Sequence, residues 1–241
     1  MKQLNNLLPK HIGIMIDGNR RWAKARKMPS FLGHKKGIER VVEIINYAFQ
    51  KKIKVLTLYG FSTENWKRSK EEVDYLMRLF TDFAKKYASS FKKKGIQFRH
   101  LGNIEMLPPS LQKELKKAQS LTKTNSKMFL NIALSYGGRD EILKAVREIA
   151  GDVRDGKASI EDIDQEFFEK YLYTSGIPHP DLVIRPSGEQ RISNFLLWQI
   201  AYSELWFSDC YWPDFTPEMF DKALEDFAMR DRRYGGVNSV D

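Results

Sequence analysis

Short apolar runs alternate with stretches of helical periodicity along almost the whole chain, and this alternation restricts the fold more than any other property of the sequence. Runs rich in Ile, Val, Leu and aromatic residues occupy positions 12–16, 55–61, 96–101, 129–136, 182–184 and 205–207, each of strand length. Between them, Ile38, Val41, Val42, Ile45, Ala48 and Phe49 fall on one helix face, and so do Val73, Leu76, Met77, Phe80, Phe83, Ala84, Tyr87 and Phe91. Ser69 with Glu72 three residues on marks the start of the second helix, and Thr216-Pro217-Glu218 opens a last one. The pattern predicts an α/β fold with a mostly parallel six-stranded sheet flanked by helices. Residues 1–241 are expected to form a single domain without repeats or linkers.

With 42% hydrophobic and 29% charged residues the chain can bury a full core, and disordered or low-complexity classes are excluded. The single Cys210 allows no intrachain disulfide, residues 1–10 lack a secretion pattern, and no apolar stretch approaches a bilayer span, so a cytoplasmic location is expected. The net charge is +9, and the segment from Lys85 to Lys127, with 11 basic and 2 acidic residues, carries all of it. That patch reads first as a solvated helix face. Without an aromatic-basic motif beside it, no nucleic-acid partner is expected, whereas a peripheral contact with an anionic membrane stays open.

In parallel sheets the ligand lies beyond the carboxyl ends of the strands. Asp17-Gly18-Asn19-Arg20-Arg21-Trp22 follows the first run, Ser62-Thr63-Glu64-Asn65-Trp66-Lys67-Arg68 the second, Gly137-Gly138-Arg139 the fourth, and Arg185-Pro186-Ser187-Gly188-Glu189-Gln190-Arg191-Ile192-Ser193-Asn194 the fifth. Asp17-Gly18-Asn19 alone could be a turn. Arg20 and Arg21, however, would sit in the first turn of a helix, where the macrodipole disfavours positive charge, and an anion would remove the conflict. Arg185 before a Gly-containing turn, with Arg191 and Ser193 opening a further apolar helix, repeats the logic. Two anion sites suggest two phosphorylated substrates or two parts of one. No Walker A loop or dinucleotide-binding glycine turn occurs, and scattered His residues with one Cys give no soft-metal site. Asp17 and Glu204 are the carboxylates that Mg²⁺ could use with phosphate oxygens. The apolar face from Val73 to Phe91 is ordinary core or, with the small residues Gly60 and Ala133 on the neighbouring strands, the wall of a hydrocarbon tunnel.

Taken together with His34, Arg68, Tyr136-Gly137-Gly138-Arg139, Asp181-Leu182-Val183-Ile184-Arg185 and the run Phe195-Leu196-Leu197-Trp198-Gln199, these segments resemble the cis-prenyltransferases, most of all the bacterial undecaprenyl diphosphate synthases. The likeness extends from about His11 to Gly236. It implies a homodimeric enzyme that uses Mg²⁺ to extend an allylic diphosphate, typically farnesyl diphosphate, with isopentenyl diphosphate. On this resemblance Asp17 is the catalytic carboxylate, Gly18, Asn19, Arg20, Arg21, Trp22 and His34 surround the allylic diphosphate, and Ser62, Thr63, Glu64, Trp66 and Arg68 border the substrates. Asn65 takes the place of a proton acceptor, Arg185, Arg191, Ile192 and Ser193 hold isopentenyl diphosphate, and Glu204 is the second metal-associated carboxylate. Two positions depart from the family pattern: Ser30 stands where an arginine is usual, and Pro186 follows Arg185. Arg233-Tyr234-Gly235 matches an ending expected to reach a neighbouring subunit's site. The alternatives are a shorter-chain or differently primed synthase and a catalytically silent polyprenyl diphosphate-binding subunit.

Overall fold

The computed structural model describes residues 8–232, so Arg233-Tyr234-Gly235 lies outside the described residues. Six parallel strands form one sheet in the order β3-β4-β2-β1-β5-β6: β1 (His11–Met15), β2 (Val55–Ser62), β3 (Ile96–Leu101), β4 (Met128–Tyr136), β5 (Leu182–Pro186) and β6 (Glu204–Ser208). Every expected strand is present. The central strands are buried on both faces, which is why they read as continuous apolar runs. Ile12, Ile14, Leu56 and Leu58 face one core, and Met15, Ala133 and Val183 face a smaller second core with Phe195 and Leu196.

Helices α1 (Asn19–Ala25), α2 (Ser30–Gln50), α3 (Lys70–Lys94), α4 (Pro109–Thr122), α5 (Gly138–Arg154), α6 (Gln165–Glu169) and α7 (Pro217–Ala228) connect or cover the strands. None of the described helices is long and apolar enough to cross a membrane. α3 starts at Ser69, whose hydroxyl accepts the Glu72 N–H at 3.3 Å, and ends at Gly95 with φ +81°. The segment after β5 departs from expectation. Arg191 and Ser193 open no helix, because Ser187, Ser193, Asn194 and Leu196 all adopt positive φ and the chain runs through successive turns instead.

Three polar side chains cross the buried middle of the sheet. His11 Nδ1 lies 2.6 Å from the Pro178 carbonyl, so Nδ1 carries the proton and Nε2 accepts from the Thr57 hydroxyl at 2.7 Å. Thr57 in turn accepts from Asn131 Nδ2 at 2.8 Å. Burial pushes the His11 pKa down to about 4, against the opposing pull of the Pro178 carbonyl.

Candidate active site

All the strands being parallel, their carboxyl ends share one edge, and a cleft of ≈ 1060 Å³ opens there between α1, α2, α3 and the turns after β2 and β5. Its rim carries Asp17, Gly18, Asn19, Arg20, Arg21, His34, Ser62, Glu64, Asn65, Arg68, Arg185, Arg191 and Ser193, so most of the expected residues come together. Ile38, Leu76, Leu79 and Phe80 supply an apolar wall.

Asp17 is the centre of the rim. Its Oδ2 accepts from Arg185 Nη2 at 2.9 Å, from the Ser187 hydroxyl at 3.0 Å and from Arg21 Nη2 at 3.3 Å, while Oδ1 accepts the Gly18 N–H at 2.7 Å. Burial alone would raise the Asp17 pKa, but the hydrogen bond and charge of Arg185, helped by Ser187 and Arg21, hold it below the ordinary carboxylate value. The group is therefore an anion at neutral pH. Gly18 has φ +98°, and a Cβ there would come within 2.9 Å of the Tyr211 ring, so no other residue fits this turn without displacement. Gly33 has an equally close fit: a Cβ would lie 2.1 Å from the Asn19 carbonyl, and its absence lets α2 press on α1 and fix the loop that bears Asp17.

Arg185 is only 5% exposed. Besides Asp17 it donates from Nη1 to the Arg191 carbonyl and, at 2.8 Å, to the Ser193 hydroxyl, so one guanidinium ties together the loops after β1 and β5. Glu189 gathers Arg21 at 2.7 Å and Arg191 at 2.5 Å. The helix-start arginines thus meet protein carboxylates: Arg21 meets Asp17 and Glu189, and Arg20 lies 3.4 Å from Glu72. These carboxylates already offset part of the conflict with the α1 dipole for which the sequence pattern suggests an anion.

Glu72 is the residue that sequence reasoning missed. Its carboxylate accepts from Arg68 at 3.0 Å and lies 3.2 Å from His34 Nε2, in addition to Arg20. The capping-box pattern accounted for it locally and so concealed it. Its backbone N–H does cap at Ser69, but its side chain turns to the rim. Burial lowers the His34 pKa, the Glu72 carboxylate opposes that, and Arg68 and Arg20 lower it again, so His34 is neutral at pH 7. Lys24 and Lys27 also line the cleft beside Ser30 and provide cationic charge where position 30 lacks it.

Several expected residues also make framework contacts. Trp22 Nε1 donates to Asp214 at 2.8 Å and Trp66 Nε1 to the Ser135 hydroxyl at 3.0 Å, so both indoles brace the framework. The Thr63 hydroxyl bonds Asp140 at 2.8 Å, and Ile192 packs against the second core. Asn65 lines the cleft, with Oδ1 accepting the Ser62 N–H at 3.1 Å to close the turn. Glu204 stands apart: it opens β6 at the amino edge of the sheet, opposite the cleft, where Arg230 bonds it at 2.8 Å. The structure does not bring it together with Asp17. Strand polarity is the reason, since Asp17 follows its strand and Glu204 begins one.

A family model described as "Putative undecaprenyl diphosphate synthase" matches residues 14–235. The chain belongs to this prenyltransferase family. It is 48% identical over 230 residues to an isoprenyl transferase of Clostridium tetani, covering 95% of this chain and 90% of that one. Among solved structures, lavandulyl diphosphate synthase from Lavandula x intermedia in complex with dimethylallyl diphosphate superposes with a TM-score of 0.92 at 39% identity, over 95% of this chain and 99% of that one. A "probable undecaprenyl diphosphate synthase" from Campylobacter jejuni gives 0.77 at 29% identity, over 94% and 98%. The protein is therefore a transferase of the cis-prenyltransferase type, with the sheet and helices that the family resemblance implied.

Proposed function

We propose that the cleft condenses isopentenyl diphosphate onto an allylic diphosphate, with farnesyl diphosphate as the primer, to give a long-chain polyprenyl diphosphate of the undecaprenyl kind. One observation carries the reading: a single cleft joins a rim of Arg20, Arg21, Arg185 and Arg191 to an apolar wall of Ile38, Leu76, Leu79 and Phe80. That pairing suits molecules with an anionic head and a hydrocarbon tail.

In the reaction the allylic C–O bond breaks as diphosphate departs, the freed carbon bonds to the terminal alkene carbon of isopentenyl diphosphate, and the positive charge left on the methyl-bearing carbon is discharged by loss of a proton from C2, which forms the new C2–C3 double bond. Arg20 and Arg21, with the neutral His34 behind them, hold the allylic diphosphate and take up the charge that develops on its leaving oxygens. Arg185, Arg191 and Ser193 hold the isopentenyl diphosphate. The apolar wall keeps water from the electron-deficient carbon. Asn65 faces the cleft with one Oδ1 lone pair engaged by Ser62, which leaves the other for a proton.

Among the described residues no group of three or more His, Cys, Asp or Glu side chains is arranged to hold a metal. An ionised, partly exposed Asp17 fits Mg²⁺ held by one carboxylate together with substrate diphosphate oxygens and water, as this ion commonly is. Bound there, Mg²⁺ would neutralise diphosphate charge. Glu204, at the far edge, is no part of that set within one chain.

The enzyme is further proposed to act in the cytoplasm as a homodimer. In support, Leu143 and Val146, one turn apart on α5, are about half exposed and offer a second copy an apolar face. Sedimentation velocity tests this.

A second reading, a synthase of short products, is favoured by the 39% identity to lavandulyl diphosphate synthase and by the cleft's deep extension. That extension, among Leu58, Phe80, Phe83 and Ile132, is a cavity of only ≈ 20 Å³, room for about one water and not for an isoprene unit unless the side chains move. Incubation with labelled isopentenyl diphosphate, Mg²⁺ and dimethylallyl, geranyl or farnesyl diphosphate, followed by product sizing, separates the two. Long products from the farnesyl primer support the first reading. Products of one or two units support the second, and no incorporation with any primer rejects both.

A further inference from the structure

Lysines gather at the amino edge of the sheet, opposite the diphosphate rim. Lys10 immediately precedes β1, Lys54 precedes β2, Lys127 precedes β4, and Lys94 ends α3 one residue before Gly95 and β3. In the spatial order β3-β4-β2-β1 these become a row, Lys94, Lys127, Lys54 and Lys10, one strand and hence about 4.8 Å apart at the backbone. Lys52, Lys93 and Lys123 are exposed beside it. Among the described residues, none of Lys10, Lys52, Lys54 or the eleven cations from Lys85 to Lys127 has a carboxylate within ion-pair distance. The other half of the same edge is different in kind: Asp181 before β5 and Glu204 opening β6 are matched by Arg232 and Arg230. Among the described residues named at this edge, the cations without a carboxylate partner therefore lie in the β3-β4-β2-β1 half.

A second observation points to the same place. α3 leaves the cleft edge after β2 and returns to the amino edge before β3. The apolar lining follows it in that direction, from Leu76, Leu79 and Phe80 in the cleft to Phe83 and Leu58 in the deep extension. The hydrocarbon end of a bound molecule would therefore point away from the arginine rim and toward the lysine row.

We propose that this lysine edge docks on a bilayer surface bearing anionic lipid head groups, which places the tail end of the product nearest the bilayer. The charge is complementary to such a surface, and an unmatched row set along a sheet edge can engage many head groups at once. A nucleic acid fits less well, since the only large apolar side chains exposed between Lys85 and Lys127 are Met106 and Leu121 and no aromatic ring is free for base stacking. The docking itself stands on the charge row; only the part about the product rests on the function proposed above.

The test is cosedimentation with vesicles of phosphatidylcholine alone and of phosphatidylcholine with phosphatidylglycerol, at about 0.1 M salt, where screening acts over roughly 10 Å. Binding should need the anionic lipid. Each lysine near such a surface contributes on the order of fivefold to partitioning, so replacing Lys54, Lys93, Lys123 and Lys127 by Gln should reduce binding by at least tenfold. Their replacement by Arg should preserve it, and Gln at Lys35, Lys36, Lys170 and Lys222 should leave it nearly unchanged. Turnover of soluble substrates, measured in parallel, should be the same for all four proteins. Absence of binding to anionic vesicles, an equal loss in both Gln variants, or retention of RNA by the same lysines in preference to vesicles overturns the proposal. Vesicle binding without any condensation activity would reject the proposed reaction and leave the docking surface standing.

Discussion

Gly60 lies where the cleft meets its deep extension, and lengthening its side chain tests whether a growing hydrocarbon passes that point. A Cβ at this position would meet Leu134 Cδ2 at 2.9 Å, the Ala133 carbonyl at 3.5 Å and Phe80 Cε1 at 3.7 Å. The close contact is with the end of a flexible side chain, so Gly60→Ala should need only a small adjustment. Gly60→Leu adds four carbons, about 100 Å³ at interior density, close to the space of one isoprene unit. It projects that bulk into the junction. Overfilling should cost about 1–3 kcal/mol, lowering the melting temperature by about 2–4 °C per kcal/mol in a chain of this size. If the hydrocarbon threads past Gly60, the first condensations proceed and the ladder of labelled products ends early, because short intermediates stop before the obstruction. Gly60→Ala should shorten the ladder less. A uniform fall in turnover with an unchanged product distribution would show that Gly60 merely packs the sheet against α3, and would refute the assignment.

Asp17→Asn keeps the shape and loses the charge that Arg185, Arg21 and any metal respond to; turnover should fall by about 10³ or more with the far-UV spectrum unchanged, and near-normal turnover at saturating Mg²⁺ would rule out a catalytic Asp17. Glu72→Gln removes the carboxylate charge, the larger of the two Glu72 contributions that raise the His34 pKa, so the His34 titration followed by NMR should move further down and the KM for the allylic diphosphate should rise as Arg20 and Arg68 lose their anchor; an upward shift would contradict the arrangement. His11 and His100, both lowered to about 4 by burial, remain neutral in the native protein while the unfolded chain binds protons near pH 6.5. Their contribution is therefore complete above pH 6.5 and lost as pH falls toward 4, by roughly 3 kcal/mol for each group. Urea midpoints that do not change between pH 7 and 4.5 would exclude this.

The strands and the loops that follow them were legible because hydrophobic periodicity and strand polarity are local properties, and Asp17, Arg20, Arg21 and Arg185 could be located from their place after apolar runs. What was not legible depends on register. Thr57 and Asn131 read as polar interruptions of two strands, and only lateral pairing of β1, β2 and β4 makes Thr57 the partner of His11 and Asn131 the partner of Thr57. Glu204 stands at a strand margin in the sequence and matches a metal-associated carboxylate of the family, but a margin alone does not tell which edge of the sheet it faces, and Glu204 begins its strand where Asp17 follows one. The turns from Ser187 to Leu196 look in sequence like the approach to a helix because positive φ at non-glycine residues leaves little trace in composition. Glu72 had a sufficient local explanation, and its side chain's destination depends on how α3 packs beside α1 and α2.

The neighbours of β1 in the sheet have a bearing on how the molecule is made. β1 is completed within the first 15 residues, yet its partner β5 begins only at Leu182. During synthesis, one flank of β1 therefore waits for some 170 residues with its backbone unpaired, an open template for intermolecular pairing. Asp17 likewise meets Arg185 and Ser187 across separations of 168 and 170 residues. A ribosome-bound chain that stops before β5 can hold β1, β2, β3 and β4 but not the arginine that orders the Asp17 carboxylate. Competence for binding would thus arrive abruptly and late in translation, and C-terminal truncations that remove β5 should produce insoluble chains rather than weakened enzymes.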